Sequence, residues 1–150
     1  MPLNEGLKGK VYPRVELEVT AERVLQFADA IGEDNPAFRS AQGGAALGFG
    51  AQIASPTFLT VLHIMGGAEV VLDPDLGLDY TRVVHGEQEF EWNRPVQVAD
   101  RLGAEPRIAD IYSKGPNEFL VIEAEIKDPS GNAVAVSRAT LLSRGTAERG

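Results

Sequence analysis

The stretch Ser55-Pro56-Thr57-Phe58-Leu59-Thr60-Val61-Leu62-His63-Ile64-Met65-Gly66-Gly67 decides how the rest of the chain is read. It carries the marks of one short helix. Ser55 suits the cap of the first-turn amides, and Pro56 suits the first helical position, where its missing N–H has no partner to lose. Gly66 or Gly67 can take the left-handed conformation that closes a helix. Between those marks the residues are apolar almost all the way round. Such a helix is normally buried on every side, and this one is too short to span a bilayer. Most of the chain after Val83 is strand-like, so the expectation is a sheet curled around a buried helix.

Toward the N-terminus, Arg14-Val15-Glu16-Leu17-Glu18-Val19 alternates apolar and charged residues, as a half-buried strand does. Thr20 is placed to cap a helix with Glu22 in its first turn. Val24, Phe27, Ala28 and Ile31 follow at helical spacing and give it one buried face, and Gly32 ends it. Glu33-Asp34-Asn35-Pro36-Ala37-Phe38 is then a turn, because Pro36 drives Asn35 out of the helical region. Residues 40–54 are rich in small side chains: Ala45, Ala46, Gly48, Gly50 and Ala51. They read as a loop or short irregular helix. The sharper reading is a lid that a ligand can approach closely.

Toward the C-terminus, Asp73-Pro74-Asp75 is a turn. Val83 to Trp92 alternates strictly, which places Val84, Gly86, Gln88, Phe90 and Trp92 on one strand face and His85, Glu87, Glu89 and Glu91 on the other. Pro95 breaks the strand, and Asp100 sits in the next turn. Strands over 108–113, 119–126 and 133–142 follow, joined by Lys114-Gly115-Pro116-Asn117 and Asp128-Pro129-Ser130-Gly131-Asn132. Short Gly-containing turns between neighbouring strands indicate an antiparallel meander. The class is α+β, a helix packed on one antiparallel sheet.

Composition narrows the function classes. A chain of 150 residues with 43% hydrophobic content is expected to form one domain over 1–150. Its formal charge is −8, from 22 acidic and 14 basic residues, with no Lys/Arg cluster, so a nucleic-acid backbone is not an expected partner. An anionic carrier could still use a local basic spot. The absence of cysteine excludes disulfides and thiolate metal sites and fits a cytoplasmic protein. With two histidines, no Gly-rich phosphate loop and no nucleophile elbow, neither a metal nor a bound cofactor is expected. Met1-Pro2-Leu3-Asn4-Glu5-Gly6 has no apolar core of the kind a signal peptide needs, and no membrane association is expected.

Three pieces stand in order: Gly32-Glu33-Asp34-Asn35-Pro36-Ala37-Phe38 after a helix; Ala54-Ser55-Pro56-Thr57-Phe58 opening the central helix; and His85-Gly86-Glu87-Gln88-Glu89-Phe90, leading through Trp92-Asn93-Arg94-Pro95-Val96 to Asp100. In that order they resemble the MaoC-like hydratase/dehydratase family. The likeness is to its FAS1-like N-terminal branch, which includes accessory subunits of mycobacterial (3R)-hydroxyacyl-ACP dehydratases. It runs from about Tyr12 to about Arg144. It implies the hot-dog fold, a long central helix wrapped by an antiparallel sheet. It also implies edge-to-edge dimers or pseudo-dimers, with sites for acyl-CoA or acyl-ACP thioesters between the halves.

Active members of that family carry Gly-Asp-x-Asn-Pro-aliphatic-His. The Asp and His hold the water that adds to a trans-2-enoyl thioester, and backbone amides near the central helix polarise the carbonyl. Here Glu33 stands at the Asp position and Phe38 at the His position, so independent hydratase activity is not expected. The resemblance therefore implies the accessory half of an (R)-specific enoyl-thioester hydratase or 3-hydroxyacyl dehydratase, beside a MaoC-type catalytic partner. A second reading is a stand-alone homodimer with a displaced acid–base pair, His85 with Glu87 or Glu33. A third is a non-catalytic homodimeric acyl-thioester binder, and hot-dog folds also host thioesterases.

The catalytic candidates are thus Glu33, His85 and Glu87. His85 and Glu87, two apart on one strand face, are close enough to pair, although Glu89 and Glu91 continue that face as a solvated surface would. The substrate-binding candidates are Asn35, Phe38, Ser55, Thr57, Gly86 and Arg94. Arg94 is either a contact for a CoA or carrier phosphate or merely solvated. Asn35 also reads as a turn residue. His63 reads as a core or interface histidine, and Phe90 and Trp92 as core or dimer-interface residues.

Overall fold

Five antiparallel strands form one sheet in the order β1-β3-β4-β5-β2. They are β1 (Val15–Glu18), β2 (Val83–Trp92), β3 (Arg101–Lys114), β4 (Asn117–Lys127) and β5 (Ala133–Ser143), with helices α1 (Ala21–Ile31), α2 (Ala41–Ala46) and α3 (Thr60–Val71). The structure, a computed structural model, describes residues 2–148. Met1, which opens the stretch read against a signal peptide, and Arg149 and Gly150, at the end of the expected domain, lie outside it. Among the described residues no helix is long and apolar enough to cross a membrane.

The meander follows from its turns and its alternation. Gly115 and Gly131 take positive φ in the two tight connections, and the Asp128 carboxylate accepts from the amides of Ser130 and Asn132. Along β4, Leu120, Ile122, Ala124 and Ile126 are buried, while Val121, Glu123 and Glu125 alternate with them on the less buried face. β3 begins well before residue 108 and passes through Pro106. At that point β1, whose pairing stops at Ala104, no longer needs an amide donor. The Pro106 carbonyl still accepts from the Tyr12 amide.

α1 forms as expected at both ends: Thr20 Oγ1 accepts from the Arg23 amide and Gly32 takes the left-handed cap. Val24 and Ala28 are buried, and Phe27 meets Phe58 edge to face at 5.7 Å. Ile31 does not join them; it is 49% exposed beyond the edge of the packed face.

The central helix differs from the expectation in three respects. Ser55 caps nothing with its hydroxyl, and residues 56–59 form turns, so α3 begins at Thr60. Its glycines do not end it. A Cβ on Gly66 would approach the Pro106 and Val15 side chains to 3.2 and 3.3 Å, so the missing side chain lets α3 lie close to the sheet and continue to Val71. Nor is it buried on every side. Leu62, His63, Gly66, Gly67 and Val70 face the sheet, whereas Ile64 and Met65 are 65% and 40% exposed.

β2 has the expected bounds, but its alternation is broken. The register with β5 shifts between His85 and Glu87, a bulge at Gly86. His85 lies opposite Leu141, Gln88 opposite Ala139 and Phe90 opposite Ser137, all on the helix side. Glu87 lies opposite Thr140 and Glu89 opposite Arg138, on the outer side. His85 and Glu87 therefore occupy opposite faces. In the sheet order, the other edge of β2 is unpaired.

Two of the small residues before the central helix have an internal explanation. Ser40 caps α2 at the Gly43 amide. A side chain on Gly43 or Gly44 would overlap the carbonyls of Pro36 and Ala51 respectively. What these two glycines admit is the chain's own backbone, whereas Gly48 and Gly50 have open space where a Cβ would stand.

Candidate functional site

Two concavities flank the start of α3, and Trp92 borders both. The smaller is a cleft of about 450 Å³ lined by Phe38, Ser55, Pro56, Trp92, Arg94 and the segment around Val96. The turn before it is held internally. Glu33 Oε1 accepts from the Asn35 amide at 3.0 Å, and Asn35 Oδ1 accepts from the Ala37 amide at 3.0 Å. The Arg39 guanidinium grips the Asp29 carboxylate at 2.7 Å and the Glu33 carbonyl at 3.1 Å, which ties the turn to α1. Gln52 Nε2 donates to the Phe38 carbonyl at 3.0 Å. Those contacts leave the Phe38 ring bordering the cleft.

Opposite Phe38, Arg94 is forked onto Asp100 at 2.7 and 3.2 Å. Asp100 Oδ2 also accepts from the Gln97 amide. Among the described residues, the only charged side chain lining the cleft is thus already paired within the chain. Ser55 Oγ is buried and has no hydrogen-bond partner. Among the described residues the lining includes no carboxylate and no imidazole. As it stands, this surface can bind and shape a ligand but has no side chain of its own to exchange a proton near neutral pH.

The larger concavity is a groove of about 940 Å³ between α3 and the inner faces of β2 and β5. It is walled by Ile64, Val71, Tyr80, Phe90, Trp92 and Leu141 among others. Both histidines of the chain border it. His63 is buried, with Nδ1 2.6 Å from Ser137 Oγ. Desolvation, and then the nearby His85, push its pKa down to about 4, so the ring is neutral near pH 7. His85 Nε2 lies 3.0 Å from Gln88 Oε1. Gln88 Nε2 is buried and unpartnered.

The expected site residues therefore separate into groups. Phe38, Ser55 and Arg94 meet in the cleft; Thr57 and His85 border the groove. Glu33 and Asn35 serve their own turn, Gly86 makes the bulge, and Glu87 points away. Sequence reasoning missed the His63–Ser137 pair, whose members lie 74 residues apart, and the turning of His85 toward Gln88. The isolated glycine inside a strand pattern, Gly86, was the available signal for the second. Among the described residues no cluster of His, Asp or Glu is placed to hold a metal.

Comparison with known proteins bears on these surfaces. The family described as the FAS1-like dehydratase domain region matches residues 7–137. A UPF0336 protein of Saccharopolyspora erythraea is 42% identical over 149 residues, covering 99% of this chain and 96% of its own. Among solved structures, the C-terminally truncated HadBC (3R-hydroxyacyl-ACP dehydratase) complex of Mycobacterium tuberculosis is similar, with a TM-score of 0.81 at 28% identity, over 91% of this chain and 96% of that one. A MaoC-like dehydratase superposes with a TM-score of 0.86 at 21% identity, over 93% of this chain and 43% of that one, a likeness of fold.

Proposed function

Because this chain belongs to the family of the FAS1-like dehydratase domain region and has the hot-dog fold of MaoC-like dehydratases, we propose that it is the accessory half of an (R)-specific 2-enoyl-thioester hydratase or 3-hydroxyacyl-thioester dehydratase. The observation that carries this reading is the cleft beside the Asn35-Pro36 turn. Phe38 occupies the position where the resemblance puts the catalytic histidine, and no acid or base replaces it in the lining. Glu33, at the aspartate position, is turned onto the Asn35 amide.

In the proposed complex the catalytic Asp and His come from a MaoC-type partner. That pair takes a proton from water as its oxygen bonds to the β-carbon and delivers a proton to the α-carbon; dehydration is the reverse. This chain contributes shape. The apolar groove receives the acyl chain of a CoA or carrier-protein thioester and excludes water from it. Ser55 Oγ is buried in the wall of the cleft, and Trp92 stands between the two surfaces. Arg94 is held by Asp100, so it is assigned a structural role ahead of phosphate binding.

The stand-alone reading is weakened by the bulge, which removes Glu87 from His85. The test is direct. The purified chain should hydrate crotonyl-CoA no faster than background. A mixture with a MaoC-type chain of the same organism, bearing an intact Gly-Asp-x-Asn-Pro-x-His motif, should be active. Each member of an acid–base pair typically contributes about 10²–10⁴-fold, so the two outcomes are far apart. Turnover by the lone chain that His85→Ala abolishes would overturn the accessory assignment.

A further inference from the structure

On the outer face of the sheet, four charged residues stand directly opposite one another across neighbouring strands. Arg107 of β3 faces Glu123 of β4, Glu123 faces Arg138 of β5, and Arg138 faces Glu89 of β2. Each opposition is an ion pair. Arg107 donates to Glu123 Oε1 at 2.6 Å, and Arg138 donates to Glu123 Oε2 from Nε at 2.9 Å and Nη2 at 2.7 Å. Nη1 of Arg138 donates to Glu89 Oε2 at 2.7 Å. The charges alternate along the whole row. Opposite charges directly across strands stabilise a sheet, and like charges weaken it.

The two ends of the row differ. Past Arg107 the next residue across is Val11, in an isolated bridge, so an apolar side chain closes that end. Past Glu89 there is no strand, because β2 is the edge of the sheet. Among the described residues Arg138 engages Oε2 of Glu89 and leaves Oε1 free, on a side chain that is 58% exposed. The row thus stops at an anion, beside backbone groups that await a strand. The charge order asks for a cation at the next place. A second copy cannot supply it through the same edge, since no residue from Val83 to Trp92 is Lys or Arg.

We propose that the strand docking on β2 belongs to a different chain and carries a cation, arginine by preference, directly opposite Glu89, so that the alternating row continues into the partner's sheet. This rests on the accessory reading above for the partner's identity, a MaoC-type chain, and adds a register to it. Arginine suits the place because its planar fork can hold two carboxylates at once, as Arg138 holds Glu123 and Glu89.

The experiment is sedimentation of the full chain with the MaoC-type chain of the same organism, over a range of salt concentrations. Glu89→Gln should weaken the complex about 10-fold and flatten its salt dependence. Glu87→Gln removes the same charge outside the row, opposite Thr140, and should cost less. Glu89→Arg should weaken the complex further, and exchanging the partner's facing cation for glutamate should restore it. The thermal midpoint of the lone chain should barely move in Glu89→Gln, because an exposed ion pair contributes little. No loss, or equal losses from the two glutamine variants, would overturn the proposal while leaving the accessory reading in place. A second arm uses this chain only. Native protein mixed with the Glu89→Lys variant sets the native glutamate opposite the introduced lysine, and the mixture should associate more tightly than either component. If the MaoC-type chain binds neither protein, an associating mixture overturns the accessory reading and keeps the row as the device that selects the facing strand. A mixture no tighter than its components then overturns both.

Discussion

His63 shows how a single side chain ties the groove to the stability of the fold. Burial holds its pKa at about 4, with repulsion from His85 as a smaller contribution, against about 6.5 in an unfolded chain. Between those values the unfolded state takes up a proton that the folded state refuses. Stability contributed by His63 is therefore level above about pH 6.5 and falls as the pH drops toward 4, by up to about 3 kcal/mol. The urea midpoint should decline across that window, and the decline should shrink in His63→Leu. At neutral pH the same variant should lose roughly 1–3 kcal/mol, because Ser137 Oγ is left buried without its partner. A native protein whose midpoint stays level down to about pH 4.5 would contradict the assignment. Residue types alone made some positions legible: Thr20 as a cap, Gly32 as a left-handed terminus, Asp100 in a turn. The His63–Ser137 pair was not legible, because it depends on β5 arriving beneath α3 from a distant part of the chain.

At the scale of elements, local punctuation was read correctly where it acts locally and misread where packing overrules it. The bounds of β2 and the order of the meander followed from alternation and Gly-containing turns. The start of α3 did not: Ser55-Pro56 carries a cap signature, yet the chain makes turns through residue 59 before the helix begins. Gly66 resembles a terminator but serves close contact with Pro106 and Val15, which no short-range pattern reveals. The bulge at Gly86 moved the candidate site most, because one extra residue exchanges the faces of everything before it. α2 gives a test of such packing glycines. Replacing a helical glycine with alanine normally stabilises by about 1 kcal/mol. Gly43→Ala should do the opposite, since its Cβ would overlap the Pro36 carbonyl and the turn that carries Phe38 would have to move. The expected outcome is a thermal midpoint lowered by several degrees, by about 1–3 kcal/mol on the scale of overpacked sites. A rise in the midpoint would show that the backbone contact is not limiting.

For the whole molecule, the open question is what covers the unpaired side of β2. An exposed strand edge invites pairing, and Ile64, Tyr80 and Trp92 expose apolar surface around the groove that β2 walls. A second copy is the simplest occupant, yet charge argues against it. Glu87, Glu89 and Glu91 share the outer face of β2, and of these only Glu89 is paired among the described residues, with Arg138 at 2.7 Å. A two-fold antiparallel pairing centred on Glu89 would set Glu87 opposite Glu91 twice over, and like charges directly opposite destabilise a ladder. A net charge of −8 adds to the repulsion. An edge that carries Lys or Arg at the facing positions meets the same groups favourably, which fits a hetero-pair better than a homodimer. Sedimentation of the lone chain at micromolar concentration and low salt should therefore show monomer or weak dimer. Self-association should strengthen with salt, which screens surface charges over about 10 Å at 0.1 M, and in Glu87→Gln/Glu91→Gln. The double variant should lose affinity for a basic-edged partner as its own dimer strengthens. A tight homodimer that ignores both salt and the double substitution would mean that the glutamates do not select the partner, and that apolar burial alone closes this edge.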